Sequence, residues 1–313
     1  MIAEAHPIPA ASQRKGAMHI GVVGLGKMGG NMRARLRAHG IDVTGYDRDV
    51  ELTDVPSLTA LIGALPAPRI VWVMVPAGAI TTSVITELVS VLSAGDLIID
   101  GGNSRFTDDA LHAALAAEKN IDYLDAGVSG GVWVLDNGYG LMVGGSAAVV
   151  QRAMPIFDAL RPEGPRDEGF VHVGEVGAGH YAKMVHNGIE YALMQAFAEG
   201  YELLDAKGDL VKDVTGTFKA WQRGTVVRSW LLELLVKALE EDPEFDETEG
   251  YVEDSGEGRW AIEEALENAV PVPTISASIF ARFVSRQGDG SPAMKAVAAL
   301  RNQFGGHGVK KVT

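Results

Sequence analysis

Cysteine is absent from the 313 residues. Its absence excludes disulfides and thiolate metal sites and fits a reducing, cytoplasmic setting. Also missing is any apolar run approaching the roughly 18 residues that a membrane span requires. Residues 1–17 lack the continuous apolar stretch of a signal peptide and read as a flexible leader, with the folded protein starting near Met18. Positive charge is in short supply: 27 Lys and Arg against 41 Asp and Glu give a formal net charge of −14. Nucleic-acid binding depends on cations that neutralise phosphates, so neither nucleic acid nor a membrane is expected as a partner. Much of the acid falls in one run from Glu240 to Glu257, broken by Pro243 and several glycines. The run lacks EF-hand spacing and reads as an exposed helix end and loop, and no metal site is expected.

What is present suits a chain of two domains. Hydrophobic residues make up 47% of the chain, enough for real cores. The first half alternates short apolar runs with helical stretches, the pattern of a parallel α/β sheet. Strands are predicted at His19–Val23, Val43–Tyr46, Ile70–Val75, Leu97–Ile99, Ile121–Leu124, Leu141–Val143 and Val171–Val173. From Gly177 onward helical patterns take over. The expected division is a Rossmann-type dinucleotide-binding domain over 18–177, an all-helical domain over 178–300, and a tail over 301–313.

The first strand runs into Gly24-Leu25-Gly26-Lys27-Met28-Gly29 and then a helix to about His39. Glycines in that spacing permit a tight turn and close backbone approach, so a pyrophosphate can sit on the helix N-terminus. Asp47, at the end of the next strand, can accept hydrogen bonds from ribose hydroxyls and would repel a 2′-phosphate; Arg48 pulls the other way. With Asp49 adding a second negative charge, NAD is favoured and NADP remains open. Val75-Pro76-Ala77-Gly78, Asp100-Gly101-Gly102-Asn103-Ser104 and Ser129-Gly130-Gly131 each follow a strand and face the crevice where such sheets bind ligands. The Ser-Gly-Gly loop offers free N–H groups to a carboxylate.

The richest segment is Lys183-Met184-Val185-His186-Asn187-Gly188-Ile189-Glu190. At about 3.6 residues per turn, Lys183, His186, Asn187 and Glu190 share one helix face, with Tyr191 beside them. Such a row can be a solvated face, and a lone His is more often structural than catalytic. Met184, Val185, Ala192, Leu193, Ala196 and Phe197 make the other sides apolar, however, so the helix is expected to be buried and its polar stripe to line a cavity. An amine, an imidazole, an amide and a carboxylate within two turns suffice for acid–base work on a polyhydroxy substrate.

On these residues the chain resembles the decarboxylating 6-phosphogluconate dehydrogenases, in their shorter bacterial form, within the β-hydroxyacid dehydrogenase superfamily. The resemblance runs from about Met18 to His307. It is carried by GVVGLGKMGGNM at 21–32, DGGNS at 100–104, KMVHNGIEY at 183–191, VEDSGEGRW at 252–260 and RNQFGGH at 301–307. It implies oxidative decarboxylation of 6-phospho-D-gluconate to D-ribulose 5-phosphate. Lys183 would be the general base and Glu190 the acid that protonates the enediol. Asn103, Ser129, Gly130, Gly131, His186 and Asn187 would hold the carboxylate and hydroxyls, and Asn103 would also face the cofactor. Tyr191, Arg282, Arg301 and His307 would grip the phosphate. Arg259, where longer members carry a lysine, would also contact substrate. The cofactor would meet Gly24, Leu25, Gly26, Met28, Gly29, Asp47, Arg48, Val75 and Pro76. The family's tail reaches a neighbouring subunit's site, which implies a homodimer or homotetramer with shared sites, although few residues follow His307 and any crossing must be brief. Two other readings remain open: a dehydrogenase of a small acid such as 3-hydroxyisobutyrate, and a non-catalytic dinucleotide sensor.

Overall fold

The computed structural model describes residues 18–288 and 290–311; the leader 1–17 lies outside the described residues. Seven strands form one sheet: β1 (His19–Val23), β2 (Asp42–Tyr46), β3 (Ile70–Val73), β4 (Leu97–Asp100), β5 (Asp122–Ser129), β6 (Gly140–Gly144) and β7 (Phe170–Gly174). Their order is β2-β1-β3-β4-β5-β6-β7, with the switch of direction between β1 and β3 that places a ligand crevice at the strand ends. The helices between them are α1 (Lys27–Ala38), α2 (Leu58–Ala64), α3 (Ala79–Val91), α4 (Phe106–Ala117), the single turn α5 (Val134–Asn137) and α6 (Ala147–Leu160). Side chains alternate across a strand, so the two faces build separate cores. Ile20, Val22, Trp72 and Ile99 pack with Met32 and Leu36 of α1 and Phe157 of α6. Val23, Val71, Val73 and Ile98 pack with α2 and α3 through Leu61, Ile85 and Leu88.

Strands β1 to β5 are parallel, but β6 pairs antiparallel with β5, and β7 pairs parallel with β6. The all-parallel expectation therefore fails at the last two strands. Only residues 130–139 separate β5 from β6, too few for the crossover that a parallel neighbour needs. The full helix α6 then supplies that crossover for β7.

The second half is helical: α7 (Ala178–Asp205), α8 (Val214–Trp221), α9 (Trp230–Glu241), α10 (Glu257–Glu267), α11 (Pro273–Ser285) and α12 (Pro292–Gly305). The 28-residue α7 belongs to both halves. Its first turns lie on β5 and β6, where a Cβ on Gly127 would fall 2.5 Å from Lys183 Cβ. Farther along, Tyr191, Met194, Ala198 and Tyr201 sit in the helical core with Leu235, Leu239 and Val297. Arg301 lies inside α12, so no break falls between 300 and 301. No helix among the described residues is long and apolar enough to cross a membrane.

Candidate active site

A cleft of about 850 Å³ runs between the strand ends and the helical half, within the size range of small-molecule sites. One end is the glycine loop. Gly24 adopts φ +91°, and a Cβ there would meet Met74 O; one on Gly29 would meet Gly24 O. A Cβ on Gly26 meets nothing within 4 Å, so its surface is open to a ligand that must approach the backbone closely. The loop leads into the N-terminus of α1, and Gly24, Gly26, Lys27, Met28, Asp47, Arg48, Val75, Pro76 and Asn103 line the cleft. Leu25 and Gly29 are buried beneath this surface and shape it from behind. Asp47 accepts hydrogen bonds from the N–H of Leu25 (2.6 Å) and of Asp49 (2.9 Å), which fixes its carboxylate at the adenine end. These features fit a dinucleotide.

Lys183, Asn187, Glu190 and Tyr191 line the middle of the same cleft from α7, facing Ser129, Gly130 and Gly131 at the end of β5. Burial pulls the Lys183 amine below the usual lysine value, against the opposing pull of Glu190 and Glu257. Burial pushes the Glu190 carboxyl up, opposed by Lys183 and Arg282. A lysine biased toward its neutral form and a carboxyl biased toward its protonated form are the ingredients of a base and an acid near neutral pH. His186 does not itself line the cleft; it lies beside it, 3.4 Å from Ser129 Oγ through Nε2 and 3.1 Å from Asn187 Oδ1 through Nδ1. Burial and then Lys183 lower its pKa, and in the neutral tautomer that suits these partners Nδ1 donates to Asn187 Oδ1 while Nε2 accepts a hydrogen bond from the Ser129 hydroxyl.

A buried polar network fixes the Asn103 loop to α7. Asp100 accepts from the N–H of Gly102 (3.0 Å) and from Ser104 Oγ (2.8 Å). Asp109 accepts from the Tyr123 hydroxyl (2.8 Å) and from His180 Nδ1 (2.8 Å). Asp125 accepts the N–H groups of Gly177 and His180 at the start of α7. Burial pulls His180 down, but its bond to Asp109 and the surrounding aspartates push it up to about 9, making it a cation among three acids. Asp100, Asp109 and His180 are the one grouping of potential metal ligands among the described residues, with ligand atoms within 4.8 Å.

The far end is basic. Arg301 and His307 line the cleft, beside Phe304 and Gly305. Arg282, 1% exposed, stacks behind Tyr191 with its guanidinium carbon 3.4 Å from the ring centroid, and its Nη2 has no partner among the described residues. It does not itself line the cleft. The Tyr191 hydroxyl lies 3.1 Å from Ser255 Oγ.

Two expectations need correction. Arg259 does not reach the cleft: its Nε and Nη2 donate to both oxygens of Asp254 at 2.8 and 2.9 Å, and it lies over Phe283. The bidentate pair with a buried carboxylate holds that guanidinium away from the cleft. The run Glu240–Glu257 is not merely an exposed loop, since Phe245, Thr248, Val252 and Glu257 are all buried within it. Arg301 and His307 line the cleft of this single chain. Gly131 leaves room for the end of α12, Lys27 Nζ donates to Gly306 O (3.1 Å), and Lys311 bridges to Thr248 and pairs with Glu247. The acidic run thus docks the chain's own final residues.

Lys27, Ser255 and Glu257 line the site and escaped the sequence reading. For Glu257 the available signal was its place between Gly256 and Gly258 in VEDSGEGRW, unlike the other acids of the run.

Comparison with known proteins agrees with this geometry. The family model for the NAD binding domain of 6-phosphogluconate dehydrogenase matches residues 19–163, and the model for the C-terminal domain of that enzyme matches 179–312. The NAD(+)-dependent, decarboxylating 6-phosphogluconate dehydrogenase of Haloferax volcanii is 38% identical over 94% of this chain and 99% of its own length. A decarboxylating 6-phosphogluconate dehydrogenase of Lactococcus lactis is 36% identical over 87% of this chain, which spans only 62% of that longer protein. The Plasmodium falciparum 6-phosphogluconate dehydrogenase, solved alone and with NADP+ and with 6-phosphogluconate, superposes with a TM-score of 0.77 at 28% identity, covering 86% of this chain and 62% of its own.

Proposed function

The chain belongs to the 6-phosphogluconate dehydrogenase family, and on that premise we propose that it converts 6-phospho-D-gluconate to D-ribulose 5-phosphate and carbon dioxide, reducing NAD in preference to NADP. The observation that carries the reading is the pairing of Lys183 and Glu190 on one buried helix face, between a dinucleotide loop and a basic pocket.

The dinucleotide would lie along Gly24, Gly26 and Met28, with its adenine ribose at Asp47 and Arg48 and its nicotinamide end near Val75, Pro76 and Asn103. When bound, it supplies the acceptor for the hydride leaving C3. Ser129 and the N–H groups of Gly130 and Gly131 hold the substrate carboxylate, while His186 and Asn187 hold hydroxyls beside it. Tyr191, Arg301 and His307 take the phosphate, and Arg282 fixes Tyr191 from behind. Lys183, its pKa lowered by burial, accepts the 3-hydroxyl proton in its neutral form as C3 is oxidised. Its ammonium then polarises the new C3 carbonyl, so that the electrons of the C1–C2 bond move into an enediol as carbon dioxide leaves. Glu190 delivers a proton to the carbon that becomes C1 of the product.

Self-association is part of the reading. Tyr181, Val185, Ile189 and Leu193 are spaced four apart on α7 and are all exposed, with Phe280 and Val284 of α11 also bare. A second copy covering this apolar row is expected to give a homodimer or larger homo-oligomer in solution.

The test is turnover of 6-phosphogluconate with NAD and NADP in parallel, with released carbon dioxide counted against reduced cofactor. One carbon dioxide per reduced cofactor supports the reaction, and Lys183→Met should abolish it while leaving cofactor binding intact. No turnover with either cofactor would refute it.

A further inference from the structure

Glu257 is the first residue of α10 and faces the cleft together with Lys183, Asn187 and Ser255. It is only 2% exposed, and neither carboxylate oxygen meets a donor in good hydrogen-bond geometry among the described residues, although Ser255, Asn187 and its own backbone N–H lie close enough to favour its charge. A buried carboxylate so poorly satisfied is unfavourable, and it is tolerated in a cleft where a ligand can complete it. Its place is built rather than incidental. Gly256 turns the chain at φ +103°, and a Cβ on Gly258 would fall 2.4 Å from Ile279 and 3.0 Å from Tyr191, which locks the start of α10 against α7 and α11.

The chemistry of the missing partner follows from what surrounds it. An ionised carboxylate only accepts hydrogen bonds and repels anions, so neither the carboxylate nor the phosphate of a sugar acid can be its ligand. Burial raises its pKa, with Ser255 and Lys183 working against the rise, so its protonated form is also within reach. A hydroxyl group serves either form, because it both donates and accepts. The charged groups facing it are Lys183 and Glu190 of α7, with Arg301 of α12 farther along the cleft. Glu257 therefore stands between the Ser129–Gly131 end, which suits a carboxylate, and the Arg301 end, which suits a phosphate.

We propose that Glu257 accepts a hydrogen bond from a hydroxyl in the middle of the sugar-acid chain and makes the cleft selective for polyhydroxy acids. The inference rests on the reaction proposed above and assigns a specificity-determining residue to it. A short acid with no hydroxyl at this position would leave the carboxylate buried and poorly satisfied, which would penalise its turnover.

The experiment pairs enzyme variants with substrate variants. Wild type, Glu257→Gln and Glu257→Ala are assayed with 6-phosphogluconate and with its 4-deoxy and 5-deoxy analogues, and NAD affinity is measured separately. Loss of a hydrogen bond to a charged group predicts that Glu257→Ala lowers kcat/KM for 6-phosphogluconate by roughly a hundredfold. Glu257→Gln, which keeps shape and one acceptor, should lose less. With the analogue lacking the partnered hydroxyl, the penalty should shrink to within about threefold, and NAD affinity should stay unchanged throughout. Equal losses on every substrate, or no loss, would overturn the hydroxyl contact while leaving the reaction standing. A wild type silent toward 6-phosphogluconate would overturn both.

Discussion

Gly127→Ala tests whether the approach of α7 to the sheet places the Lys183 amine, the base in the proposed reaction. A Cβ at this position would lie 2.5 Å from Lys183 Cβ and 2.6 Å from Gly179 O, whereas ordinary contact begins at 3.4 Å. The helix must therefore move about 0.9 Å away from β5, or the strand must bend by that much. Overpacking of this kind costs about 1–3 kcal/mol of stability. The larger effect should be on rate, since a misplacement of about 1 Å can cost roughly 10²-fold. We expect kcat, followed by reduced-cofactor absorbance, to fall about a hundredfold and the melting temperature to drop. NAD affinity should hold, because the glycine loop rests on β1 and α1. Gly63→Ala in α2 is the control, where a new Cβ meets nothing within 4 Å and the gain in helix propensity is worth roughly 0.5–1 kcal/mol. A Gly127→Ala enzyme with wild-type kcat and stability would refute the argument.

Three other expectations follow from the same cleft. Glu190 holds the Lys183 pKa up against burial, so Glu190→Gln should let it fall; the limb of the pH–rate profile on which Lys183 loses its proton then moves to lower pH, and an unmoved or raised limb would contradict this coupling. Asp47→Ser removes the carboxylate anchored by Leu25 and Asp49, and the NAD to NADP ratio of kcat/KM should drop by about tenfold or more; an unchanged ratio would mean that the adenine ribose is read elsewhere. Arg259→Ala should leave KM for 6-phosphogluconate within about twofold, because the guanidinium is committed to Asp254 and a half-exposed ion pair contributes only about 0–1 kcal/mol to stability; a large rise in KM would return Arg259 to the cleft.

The parts that were legible in the sequence are those whose physics is local. Gly24, Gly26 and Gly29 announce a turn because only glycine tolerates that backbone and that crowding, and Asp47 follows from the strand after it. Lys183, Asn187 and Glu190 are legible because helical periodicity fixes which residues share a face. What escaped depends on distant partners. Gly127 looks like an ordinary strand glycine until α7 is laid across it. Arg259 looks like a phosphate clamp until Asp254 is found beside it, and Glu257 looks like one more surface acid until the packing of Gly258 against Ile279 and Tyr191 buries it. The reversal of β6 hides in residues 130–139, whose length argues against a crossover but whose glycines suggest only a loop. The route of the chain's end is also set by non-local contacts, through Gly131, Lys27 and Thr248.

Because one uninterrupted helix passes from the sheet into the helical core, the amine of Lys183 travels with the sheet that carries the cofactor loop. Arg301 and His307, at the basic end of the cleft, sit instead on α12 and just beyond it. The rod that holds Lys183 carries Glu190 and Tyr191 onward, so the spacing of these last three side chains along the cleft is set by helical rise, about 1.5 Å per residue, and not by how the two halves pack.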